Sequence, residues 1–95
     1  MMGARELPAR VRFLDSVSIR LGSERGFLFD QRSGHVFSLN DSATLAAAGL
    51  RDGTPTTDVV AAVVEAFDVD AATVRADLAR LVAQLLEEGL VESHG

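Results

Sequence analysis

Between Gly34 and Thr54 the chain reads "GHVFSLNDSATLAAAGLRDGT" and changes period midway. Up to Leu39, apolar and polar residues alternate, the period of a strand with one buried face. From Asn40 onward the same stretch reads as a helix, with a capping side chain ahead of an acid at position 41. Every strand-like segment precedes this junction, and every long helical pattern follows it. Strands and helices segregated along one chain define an α+β architecture.

Three strand segments are legible. "SVSIRLG" sets Val17, Ile19 and Leu21 on one face and Ser16, Ser18 and Arg20 on the other. "GSERG" reads as a turn, and "FLFD" as a short strand with Phe27 and Phe29 on a common face. "QRSG" is a hairpin connection in which Gly34 is free to take a positive φ. "HVFSL" follows, Phe37 and Leu39 pointing one way and Val36 and Ser38 the other. The expectation is a three-stranded antiparallel meander followed by three helices, winged helix-turn-helix-like.

The first helix runs from Asn40 to about Leu50 and stops at Asp52-Gly53. Its "AAAG" centre is weak, since a glycine inside a helix costs about 1 kcal/mol relative to alanine. Such a helix depends on close packing. Thr56 or Thr57 is expected to cap the second helix, whose stripe is Val59, Val60, Val63, Val64 and Phe67. Asp70 caps the third and longest, with Val74, Leu78, Leu81 and Leu85 in an apolar stripe. Gly89 ends it, and a short extended tail follows. Residues 1–10 are expected to be a flexible N-terminal segment, and residues 11–92 a single domain.

Composition then limits function. Ninety-five residues suffice for one modest core. The chain has no Cys, which removes disulfides and thiolate chemistry. The two His, at 35 and 94, stand far apart, and His35 reads as a surface histidine with no nucleophile or acid at catalytic spacing. Asp41-Ser42 resembles a phosphopantetheine attachment dipeptide, but ordinary capping selects the same pair, and carrier proteins lack a strand meander. "GSERG" lacks the lysine of a phosphate loop, and Asp68, Asp70 and Asp77 lack the alternation of a calcium loop. The expectations are no enzyme activity, no cofactor, no metal, no membrane span or signal peptide, and a cytoplasmic location.

The net charge of −5 is divided unevenly, with +2 on residues 1–40 and −7 on residues 41–95. A nucleic-acid binder needs a basic surface where its recognition helix lies. Here the helical half is acidic, so no nucleic acid is expected as a partner. What remains is the edge of the sheet. "HVFSL" carries neither the proline nor the formal charge that usually blunts an exposed edge. Either a helix or a homodimer partner covers it, or an extended peptide pairs with it through main-chain bonds.

In ordered succession the chain offers Leu39-Asn40, Asp52-Gly53, Thr56, Phe67, Asp77 and Gly89-Leu90-Val91. Across residues 10–92 this set resembles the PqqD family, also called RiPP recognition elements. One departure is Ala46, Ala47, Ala48 and Gly49 where the family has bulky residues. The resemblance implies a winged-helix-like domain that performs no chemistry. Its implied partner is the leader segment of a ribosomally made precursor peptide, which it presents to a modifying enzyme such as a radical enzyme, cyclase or protease. It further implies that the leader lies antiparallel along residues 35–39, against the helix of residues 71–85. The candidate site is then His35, Val36, Phe37, Ser38 and Leu39 on the strand, with Val74, Asp77, Leu78 and Leu81 on the helix. The alternative is a winged-helix DNA-binding or regulatory module, with Arg75 and Arg80 as its only cations on the third helix.

Overall fold

The computed structural model describes residues 7–21 and 25–94. Three strands, β2 (Val17–Leu21), β3 (Gly26–Asp30) and β4 (Val36–Leu39), form the expected antiparallel meander in the order β2-β3-β4. Three helices follow: α1 (Asp41–Arg51), α2 (Thr56–Phe67) and α3 (Ala71–Glu87). A further pair was not anticipated. Strand β1 (Arg10–Phe13) pairs antiparallel with β5 (Val91–His94), Phe13 opposite Val91 and Arg10 opposite His94.

That second sheet changes the reading of both chain ends. The tail after Gly89 is a paired strand. Residues 1–6 and most of the turn at 22–26 lie outside the described residues. Residues 7–10 of the segment expected to be flexible are tied down: Leu7 packs on the core and Arg10 opens β1. The single-sequence signal was poor, because "RVRF" has only two apolar positions. Val11 and Phe13 alternate inward all the same, and both are buried.

Alternation also orients the meander. Leu28 of β3 is fully buried, whereas its neighbours Phe27 and Phe29 are 39% and 38% exposed. The two phenylalanines do share a face, but it is the outer one. Leu28 lies opposite Ile19 on β2 and Phe37 on β4, giving the sheet an inner apolar row. Leu39, Leu50, Val59, Val63, Leu78, Val82 and Leu90 complete the core beneath it.

The helices begin and end for local reasons. The Asn40 side chain accepts the Ala43 N–H at 2.9 Å, and Asp70 accepts the Thr73 N–H at 3.2 Å, so both are caps as read. Helix α2 is different. Pro55 occupies its cap position without a side-chain bond, and Thr56 is the first helical residue. Thr56 is buried, its hydroxyl donates to the Pro8 carbonyl at 2.6 Å, and its N–H donates to the Ala9 carbonyl at 2.9 Å. A helix-start donor is thus satisfied by the strand leading into β1. Close packing accounts for the weak centre of α1. A Cβ on Gly49 would stand 3.0 Å from a methyl of Val59, so α2 occupies the space a larger residue would need.

Candidate functional site

Strand β4 is an edge of its sheet, and no described strand pairs with its open side. The register decides which of its groups are free. The Asp30 N–H donates to the His35 carbonyl at 3.0 Å, while the next residue, Gln31, donates to Ser16 on the β2 side at 2.9 Å. Bonding residues alternate along an antiparallel pair. With Leu28 opposite Phe37 and Gly26 opposite Leu39, residues His35, Phe37 and Leu39 turn their backbone groups toward β3. Val36 and Ser38 turn theirs outward. Two outward N–H and two outward C=O groups therefore line this edge.

The side chains follow the opposite logic. Leu39 is buried and Phe37 half-buried against the core, whereas Val36 and Ser38 lie exposed on the outer sheet face. His35 is exposed, its ring edge-on to Phe37 with centroids 6.3 Å apart.

Both ends of the strand are fixed. At its start, the Asp30 carboxylate accepts the Ser33 hydroxyl at 2.9 Å and the Arg32 N–H at 3.1 Å. Arg32 in turn donates to the Gly89 carbonyl at 2.9 Å, tying the hairpin to the C-terminal end of α3. At the other end, Asn40 enters a groove whose far wall is the N-terminal half of α3. The start of β4 therefore lies toward the C-terminal end of α3, and its end leads to the groove lined by the first half of that helix.

The Ser33 hydrogen bond is the largest influence holding the Asp30 carboxyl below its ordinary value; burial opposes it, and Arg32 adds to it. The folded pKa is lowered, so the stabilisation is present above the unfolded value and is lost as pH falls through the folded one. Acidification below about pH 4 should loosen the β3–β4 hairpin. Denaturant unfolding across this range should show a steeper acid loss for the native chain than for Asp30→Asn. Identical pH slopes in the two proteins would remove Asp30 from this role.

The groove occupies about 680 Å³ between the start of α1, the end of α2 and the first half of α3. It brings together the four helix residues expected from the sequence: Val74, Asp77, Leu78 and Leu81 all line it. Val74 and Leu78 are buried and form its base; Leu81 is half-buried. Asp77 is largely exposed and pairs with Arg80 one turn on, a surface pair whose net worth is small. The five strand residues lie beside the groove rather than in it. Ala43, Ala46, Val63, Phe67 and Arg25 also line it and were not anticipated. The available signal was the run of small residues on α1 facing the α3 stripe.

Such a structure is a winged-helix-like α+β domain with an unblunted strand edge beside a helical groove. The family model for coenzyme PQQ synthesis protein D (PqqD) matches residues 25–91, and the chain belongs to that family. No curated protein matches its sequence. Two solved structures share the fold. One is lasso peptide synthetase B1 complexed with the leader peptide, 31% identical with a TM-score of 0.76, covering 88% of this chain and 99% of that one. The other is TbiB1 in complex with the TbiA(beta) leader peptide, 23% identical with a TM-score of 0.79, covering 88% and 98%.

Proposed function

We propose that this chain is a non-catalytic adaptor that binds the leader segment of a ribosomally synthesised precursor peptide. The leader adds as a strand to β4, bonding to Val36 and Ser38, and its inward side chains meet α3. The bound precursor is thereby presented to a modifying enzyme, in the cytoplasm and without cofactor or metal. The observation that carries this reading is the outward-facing backbone of β4 beside an apolar groove. The 31% identity to a lasso peptide synthetase B1 that binds a leader peptide supports it. Among the described residues, no helix is long and apolar enough to cross a membrane.

Salt dependence separates this from a DNA-binding module. A peptide held by backbone bonds and apolar contacts should keep nearly the same affinity between about 50 and 200 mM salt, whereas six or more phosphate contacts lose about a thousandfold or more. The test is titration with the N-terminal half of a short precursor encoded beside this gene, and separately with duplex DNA. Saturable, salt-tolerant peptide binding is expected, with duplex binding no tighter than about 10⁻⁴–10⁻⁶ M at physiological salt. Nanomolar duplex binding, or no binding of the precursor, would overturn the assignment. Sedimentation of the free protein tests the competing use of the edge, a homodimer through two β4 strands.

A further inference from the structure

The start of β4 has little of the core to hold it. Val36 is exposed, Phe37 is half-buried, and within the strand only Leu39 is buried. A strand anchored at one end pivots at the other unless something ties it. Here a chain of hydrogen bonds does so. The His35 N–H donates to the Ser33 hydroxyl oxygen at 3.2 Å, and that hydroxyl donates to one oxygen of the buried Asp30 carboxylate at 2.9 Å. The other carboxylate oxygen accepts the Arg32 N–H and lies 3.6 Å from Arg32 Nε. The guanidinium so oriented donates through Nη2 to the Gly89 carbonyl at 2.9 Å, 57 residues away along the chain.

The receiving end has a deficit of its own. A helix C-terminus carries partial negative charge on its unpaired carbonyls, which a nearby cation offsets. Helix α1 holds Arg51 in its last turn for this purpose, whereas the last turn of α3 holds no basic residue and ends on Glu87 and Glu88. Arg32 supplies the missing cation from the hairpin. Its side chain is 57% exposed, so the bond adds little to global stability. The effect is local: it fixes where β4 begins with respect to α3.

We infer that Arg32 is a positioning residue for the peptide-binding edge, its bond to Gly89 holding β4 at the angle to α3 at which one added strand meets both. The inference rests on the peptide-binding reading, and Arg32 acts through β4 rather than by touching the peptide. Without the bond, the start of β4 pivots about Leu39 and samples orientations in which edge and helix no longer face a common strand. Affinity then falls with the fraction of molecules in the competent orientation.

Arg32→Met keeps the length of the side chain and removes its donors. Residual dipolar couplings of the amides of β4 and α3 measure the orientation of strand to helix in the free protein. They should differ from the parent in Arg32→Met and match it in Gln31→Ala, whose lost bond ties the hairpin to Ser18 on β2 instead. The same precursor segment, made synthetically, should bind Arg32→Met about fivefold more weakly, and Gln31→Ala as well as the parent. Arg32→Lys, which returns a cation to the helix end, should recover part of the loss. Thermal unfolding of all three variants checks that each is folded. Unchanged couplings or unchanged affinity in Arg32→Met would overturn the role. So would equal losses of affinity in Arg32→Met and Gln31→Ala, the mark of a hairpin loosened in general. In each of these results the parent still binds the peptide; a parent that fails to bind it would instead overturn the peptide-binding reading on which the role rests.

Discussion

Proline at Val36 or at Ser38 is expected to weaken precursor binding about tenfold or more while leaving the domain folded. Each substitution removes one outward N–H donor and places a ring where the added strand must approach. A net hydrogen bond is worth about 0.5–1.5 kcal/mol, and the steric intrusion adds to that. Neither residue bonds to β3 in the observed register, so the internal ladder survives. Phe37→Pro should behave in the opposite way, because Phe37 faces Leu28 in a bonded pair and its loss opens the β3–β4 ladder. Calorimetric titration alongside denaturant unfolding separates the two effects. Folded Val36→Pro and Ser38→Pro proteins that bind the precursor as well as the parent would exclude this edge.

The largest stability loss is expected from Leu28→Ala. Leu28 is fully buried on the central strand, opposite Ile19 and Phe37, and its truncation leaves a cavity beneath the sheet. Such changes cost about 2–5 kcal/mol, a large part of the 5–15 kcal/mol that holds a typical domain folded. Phe27→Ala, one residue away, removes more atoms but from the outer face, and should cost well under half as much. Urea unfolding midpoints at constant slope measure both. Equal losses at the two positions would contradict the assignment of faces, and with it the inward course of Phe37 and Leu39.

Much of the fold was legible because its signals are local. The meander was carried by period-two alternation in "SVSIRLG" and "HVFSL", and the ends of α1 and α3 by Asn40, Asp70 and Gly89. Those cap and turn residues act within their own few neighbours, so no tertiary information is needed to read them. Strand β1 was missed because two inward residues make no pattern. Its partner β5 lies about eighty positions away, a pairing that exists only once the three helices bring the chain ends together. Thr56 was misread as a cap for a related reason. Its hydroxyl is satisfied by the carbonyl of Pro8, across 48 residues of sequence.

The candidate site divides along the same line. The sequence by itself determined that residues 35–39 form an edge without charge or proline, and that Val74, Leu78 and Leu81 share one face of a helix. Which backbone groups on that edge are free was beyond it, because bonding direction depends on hairpin register, and register follows from how Asp30, Gly34 and His35 close the turn. The meaning of the α1 alanines was also decided only in three dimensions. On the sequence they are a weak helix. In the structure Gly49 and Val59 draw α1 against α2 at one end, while Ala43 and Ala46 hold open a groove toward α3 at the other. A small side chain carries no signal of its own; whether it permits close approach or leaves a hollow depends on what the rest of the fold places opposite.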